Sequence, residues 1–162
     1  MSERDAAFAE YFAARSGIMR STAFLLCGDW HRAEDLVQIA FTKLYVHWNA
    51  VARHDNLDPY VRRTLIHAFI DDGRRPWWRR ERPHEVMPER EAACDLADDR
   101  LTLVHALARI PPRQRAVLIL RYWEDQSVED TATALDCSTG TVKSQAARGL
   151  DTLRTLLSTP VS

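Results

Sequence analysis

Glycine and cysteine are scarce in this sequence of 162 residues, and neither sign of charge prevails. Cys27, Cys94 and Cys137 are odd in number, far apart and never in CxxC spacing, which argues against a disulfide framework or a structural zinc site. His84 is the histidine nearest Cys94, and no further ligand is spaced around that pair, so no metal and no cofactor is expected. No apolar run approaches the roughly 18 to 20 residues that span a bilayer. The opening stretch MSERDAAFAEYF is charged and amphipathic, unlike a secretory leader. These absences predict a cytoplasmic protein without membrane insertion. Positioned nucleophile–base pairs, paired acids and glycine-rich phosphate loops are missing too, so an enzyme is not expected. With 22 basic against 23 acidic side chains, net charge gives no global case for a nucleic-acid partner.

The distribution of charge is more informative than its sum. Residues 59–82 hold seven arginines against three acids, a local +4, whereas residues 85–99 hold six acids against Arg90, a local −5. A basic block followed by an acidic one suggests a surface for polyanions and then a linker; two solvated faces would read the same way.

Period-two alternation is absent, and apolar residues recur at helical spacings almost throughout. The pattern predicts a helix from Asp5 to Leu26 that stops at Gly28-Asp29. A second runs from Asp29 to about Trp48, with Leu36, Ile39, Ala40, Leu44 and Val46 on its inner stripe. Residues 49–59, NAVARHDNLDP, are turn-rich, and Pro59 can open a third helix, Tyr60 to about Asp72, with Gly73 as its C-cap. The prolines at 76, 83 and 88 mark a linker, on which Trp77 and Trp78 are expected to pack against the first domain. Helical pattern resumes at Asp99 with Leu101, Val104, Leu107, Ala108 and Ile110 on one side. Pro111-Pro112 breaks it and starts a helix carrying Val117, Leu118, Leu120 and Trp123. The fold class expected is therefore all-α: two small helical domains, residues 1–75 and 99–162, joined by a flexible linker over 76–98.

Residues 127–150, SVEDTATALDCSTGTVKSQAARGL, have the spacing of a helix-turn-helix. Ser127 and Ser138 are natural N-caps, Ala132 is small where two helices cross, and Val142 falls where the second helix packs back on the first. Thr139, Thr141, Lys143, Ser144 and Arg148 would face a DNA major groove, the hydroxyls permitting close approach and the cations meeting phosphate or guanine. A plain helical hairpin has the same caps, and repressors and activators carry the same motif.

What accompanies the motif narrows the choice. The run Ala33-Glu34-Asp35-Leu36-Val37-Gln38-Ile39-Ala40-Phe41 resembles the EDLVQ-x-x-F signature of region 2 in sigma-70-type factors. IPPRQRAVLILRYWEDQSVEDTA and STGTVKSQAARGLDTLR resemble their region 4. The order is right, and there is no room for regions 1.1 and 3, which points to the extracytoplasmic-function (ECF) group. The VKSQ-x-x-RGL-x-x-LR ending and the Trp-Trp-Arg-Arg run look like its SigE-like subgroup.

The resemblance implies an RNA polymerase sigma factor whose partners are core polymerase, through the β′ clamp helices and the β flap, and promoter DNA. An anti-sigma factor is a further partner of many relatives. Asp35, Gln38 and Phe41 match the polymerase-binding positions, with Leu36, Ile39 and Leu44 read as core. Arg53, His54, Asn56, Arg62 and Arg63 match the segment that captures the −10 strand, and Trp48 or Tyr60 could support a flipped base there. Arg121, Thr139, Thr141, Lys143, Ser144 and Arg148 match contacts to the −35 duplex. Three positions depart from the family: Thr131 replaces an aliphatic residue, Gln145 an arginine and His67 an asparagine. The alternative function is a stand-alone helix-turn-helix regulator, which leaves the DLVQ helix unexplained.

Overall fold

The computed structural model describes residues 1–53, 57–73 and 95–158, and among these every regular element is a helix. The first half holds α1 (Glu3–Cys27), α2 (Trp30–Val46), α3 (Trp48–Arg53) and α4 (Leu57–Gly73). Ser2 caps α1 by accepting the Asp5 amide (3.0 Å), and the helix ends where Gly28 turns left-handed at φ 75°. Asp29 then caps α2 at once by accepting the His31 amide (2.8 Å), so α1 and α2 form a tight antiparallel hairpin.

Packing turns α2 further than its apolar stripe suggested. Ala33, Leu36, Val37, Ala40, Phe41 and Leu44 are its buried positions, whereas Ile39 is 41% and Val46 64% exposed. Aromatic side chains cause the rotation. Phe41 lies within 6.4 Å of the rings of Phe8, Tyr11 and Phe12, and Phe8 and Tyr11 also reach Trp48. Edge-to-face contacts of this kind add to the burial energy of rings that already contribute most to a small core. Part of the segment read as turn-rich is the short helix α3, anchored by buried Trp48. Helix α4 begins at Leu57, so Pro59 sits inside its first turn, where no intrahelical amide bond is lost. Tyr11 and Arg15 fasten that turn to α1 through Asp58 at 2.5 and 3.1 Å. The expected packing of Trp77 and Trp78 lies outside the described residues.

The second half holds α5 (Asp95–Ala108), α6 (Pro112–Leu118), α7 (Val128–Leu135) and α8 (Thr139–Ser158). Val104, Leu107 and Ile110 face inward as expected; Ala108 does not, and Ala106 is buried instead. Helix α6 runs into a π-turn over Ile119–Trp123, which buries Ile119 and Leu120 but leaves Trp123 55% exposed rather than in the core. Helix α8 crosses α6 at Gly149, where an added Cβ would lie 3.0 to 3.3 Å from three Leu118 side-chain atoms.

The two helical domains pack directly on one another. Met19, Leu26, Leu65 and Ile66 of the first half share one buried cluster with Ala116, Ile119, Leu120, Leu135 and Val142 of the second. Units this small bury little surface alone, and joining their faces removes more apolar area from water.

Candidate functional site

Helix α2 presents Asp35 and Gln38 on its outer face, with exposed Ile39 one helical turn from Asp35 and next to Gln38, while the opposite face is entirely core. The pair lines a groove of about 710 Å³ between α2 and α4, with Arg32, Lys43, Asp71 and Asp72 on its walls. An Arg32–Asp72 ion pair fixes the spacing of the two helices along that groove. A mixed surface of this kind, acid and amide beside one exposed aliphatic side chain, suits a basic amphipathic partner helix. Phe41 is not on it. It is 3% exposed and belongs to the aromatic core, so the apolar side chain available to a partner at this face is Ile39. The sequence did carry the signal: Ala33, Val37, Phe41 and Leu36, Ala40, Leu44 are two adjoining rows at i, i+4 spacing.

The helix-turn-helix is built as its caps dictate. Ser127 accepts the Asp130 amide at 2.9 Å, and Ser138 accepts the Thr141 amide at 3.1 Å. Asp136 takes the left-handed conformation at φ 53° in the turn, and Val142 is fully buried against α7. Thr139, Thr141, Lys143, Ser144 and Arg148 are all exposed on α8. The Thr141 and Ser138 hydroxyls share a 2.9 Å hydrogen bond, and Ser144 donates to the Thr141 carbonyl at 3.1 Å. Among the described residues, Lys143 and Arg148 enter no ion pair. Thr131 is fully buried with no partner for its hydroxyl, and Gln145 likewise holds a buried, unpartnered Oε1.

The candidate −10 residues divide. Arg53 is exposed at the end of α3, and His54 and Asn56 lie outside the described residues. Trp48 is core, which leaves Tyr60, half-buried, as the ring nearest the start of α4. Arg62 and Arg63 are engaged by the second half. Arg62 donates from Nε to Glu124 (3.2 Å) and from Nη1 to Gln126 (3.2 Å), and the Thr22 hydroxyl donates to the other Glu124 oxygen (2.5 Å). Arg63 pairs with Asp136 at 2.8 Å. His67 approaches the Ala134 carbonyl at 2.9 Å, so its Nε2 carries the proton there. Arg121 donates to the Gln126 carbonyl and stacks over Tyr122, 5.7 Å from the ring centre.

Sequence reasoning missed two residues of this interface. Arg115 donates to the carbonyls of Leu26 (2.5 Å), Ala108 (3.2 Å) and Ile110 (2.8 Å), so one guanidinium caps the C-terminal ends of α1 and α5. Burial lowers its pKa, because the charged form has lost the water that would solvate it. Glu124 is the other, and its partners, Arg62 and Thr22, lie 62 and 102 positions away.

A helical bundle with a polar outer face on its second helix, followed by a helix-turn-helix, defines a class of transcription factor that is met in a known family. Residues 12–79 match the model of sigma-70 region 2, and residues 100–153 match that of sigma-70 region 4. The RNA polymerase sigma-E factor of Streptomyces avermitilis is 37% identical over 153 residues, covering 91% of this chain and 83% of the relative. That of Streptomyces coelicolor is also 37% identical over 153 residues, with 91% and 84% covered. The ECF sigma factor SigW of Bacillus subtilis is 23% identical, with 88% and 87% covered. The fold is shared with the sigma factor RpoE of Bartonella quintana, solved with the anti-sigma factor NepR. Its TM-score is 0.71 at 24% identity, over 96% of this chain and 99% of that one.

The chain belongs to the sigma-70 family of RNA polymerase sigma factors, within the ECF group and similar to its sigma-E members. Its function is that of the family, promoter-directed initiation of transcription with core RNA polymerase. A stand-alone regulator would leave the region 2 match over residues 12–79 without a purpose. No helix among the described residues is long and apolar enough to cross a membrane.

Proposed function

We propose that Asp35 and Gln38 are the polymerase-binding pair, docking α2 on the β′ clamp helices. Lys143 and Arg148, with Thr139, Thr141 and Ser144, would hold the −35 duplex. The carrying observation is the one-sidedness of α2: six buried positions hold one face in the core, which leaves Asp35 and Gln38 exposed for a partner. Phe41 then acts from within, as the residue that fixes how the helix is turned. Arg53, Arg62 and Arg63, together with His54 and Asn56, form the −10 contact set. Arg121 is a backbone phosphate contact of the second domain, beside the β flap.

Residues 1–75 constitute the core-binding and −10 domain and 99–162 the −35 domain; of the linker expected over 76–98, residues 95–98 form the start of α5 and so extend the second domain. The protein works in the cytoplasm as a non-catalytic subunit. An anti-sigma factor covering the α2 groove is a natural regulator, as the Bartonella relative has one.

The direct test is co-elution with purified core polymerase and runoff transcription. The Asp35→Ala/Gln38→Ala double variant, with its helical circular dichroism unchanged, is expected to lose core binding and promoter-dependent initiation. Co-elution at the unaltered level would refute the assignment.

A further inference from the structure

We propose that Tyr122 is a positioning residue of the −35 site, its ring holding the Arg121 guanidinium in place for a DNA phosphate. The proposal rests on the reading of Arg121 as a backbone phosphate contact.

Between Arg115 and Lys143 the sequence has one cation, Arg121, against Glu124, Asp125, Glu129, Asp130 and Asp136. The first helix of a helix-turn-helix crosses the DNA backbone, and here that helix is α7. Its first turn carries Glu129 and Asp130, and Ser127 already takes the Asp130 amide at 2.9 Å. The helix end itself therefore offers phosphate no seat. Arg121 has to carry the contact against acids on either side, and a loosely held guanidinium would gain little there.

Arg121 is held locally. Its Nη1 donates to the Gln126 carbonyl, one residue before the Ser127 cap, and its Cζ stands 5.7 Å from the centre of the Tyr122 ring. Side chains adjacent in sequence do not face each other on a regular α-helix. Arg121 and Tyr122 meet because Ile119–Trp123 is a π-turn, in which the Glu124 amide reaches back to the Ile119 carbonyl at 2.9 Å. The extra residue in such a turn brings neighbours closer around the axis. The Tyr122 side is 58% exposed, so it adds little to the core.

Stack and carbonyl bond together fix the plane of the guanidinium. One N–H is committed to Gln126, and the others point to no acceptor among the described residues. They remain for phosphate oxygens, which a planar fork meets two at a time. An arginine so held loses less side-chain freedom when phosphate arrives, and the ring raises affinity by that route.

The probe is a fluorescent DNA duplex of random sequence, bound by the full chain over a series of salt concentrations. Tyr122→Ala is expected to weaken binding about fivefold, the cost of ordering one freed arginine. Tyr122→Phe keeps the ring and is expected to bind as the unaltered protein does. Arg121→Ala should weaken binding and reduce the slope of log affinity against log salt by about 0.9, as one lost phosphate contact does. In that background Tyr122→Ala should change nothing further, because the ring acts through the arginine.

Full affinity in Tyr122→Ala overturns the proposal, even where Arg121→Ala binds weakly. A loss in Tyr122→Phe, or a further loss from Tyr122→Ala in the Arg121→Ala background, overturns it too, since the tyrosine then touches DNA itself. Affinity and slope both unaltered in Arg121→Ala remove instead the −35 reading of that arginine, and the proposal with it. Should Arg121→Ala unsettle the loop, the comparison of alanine with phenylalanine at Tyr122 decides alone, because that ring lies outside the core.

Discussion

Replacing Thr131 by valine is expected to stabilise the protein. Thr131 lies on α7, is fully buried, and its Oγ1 has no hydrogen-bond partner. Two residues on, the exposed Thr133 turns its hydroxyl back to the Glu129 carbonyl at 3.1 Å. The same option is open in principle to Thr131, whose own amide bonds to the Ser127 carbonyl at 2.9 Å, yet its hydroxyl does not take it. A buried hydroxyl without a partner costs roughly 1–3 kcal/mol relative to an apolar group of the same shape. Valine has that shape, so no cavity forms and no rotamer is displaced. The amide bond, the Ser127 cap and the exposed face of α8 are all unaffected. For a chain of this size about 1 kcal/mol corresponds to roughly 2–4 °C in melting temperature. Thermal and urea unfolding followed by circular dichroism should therefore give a rise of a few degrees with an unchanged urea m-value. A fall in melting temperature would refute the reasoning, because it would mean that the hydroxyl has a partner, a buried water for example, that valine cannot replace.

Gly149→Ala should destabilise the α6–α8 crossing by about 1 kcal/mol, overpacking against Leu118 outweighing the gain in helix propensity. Combining it with Leu118→Ala in a double-mutant cycle should reveal coupling between the two, and strict additivity of the unfolding energies would contradict the contact. Arg115→Lys is expected to cost roughly 2–3 kcal/mol, since a single ammonium cannot reach three carbonyls on two helices; a melting temperature equal to that of the unaltered protein would disprove the double cap. Burial pushes the Cys27 thiol from 9.0 up to about 11, so the folded state retains a proton that the unfolded state gives up across that interval. The contribution to stability is complete below pH 9.0 and lost as pH rises toward about 11, and Cys27→Ala should flatten that part of the curve of urea midpoint against pH.

Local signals in the sequence found what local chemistry determines. Ser127, Ser138 and Gly28 cap or end helices through neighbours a few residues away, and each does what its type suggests. The helix-turn-helix and its exposed row from Thr139 to Arg148 were legible for the same reason. Where a helix face is chosen by partners distant in the chain, the reading slipped. Ile39 and Phe41 traded places: the i, i+4 rows of α2 allow Phe41 inside, but the rings that select it over Ile39, those of Phe8, Tyr11 and Phe12, lie on another helix. The start of α4 was placed at Tyr60 because Pro59 can open a helix, yet a proline is equally tolerated throughout a first turn. The π-turn at Ile119–Trp123 has no sequence signature, and without it Trp123 reads as core. Arg62 and Arg63 were legible as cations. That both would face carboxylates of the other domain was not, because Glu124 and Asp136 lie in ordinary turn sequence.

The shared core between Met19 and Val142 has a consequence for the protein's birth on the ribosome. The first four helices are complete once Gly73 emerges, but the side chains that cover α4 are still to be synthesised. At about 5–20 residues per second, the chain spends several seconds with Leu65, Ile66 and the α4 arginines uncovered. During that interval the nascent first domain shows its apolar face to solvent and to other proteins, and only release of α8, with Val142, completes the core.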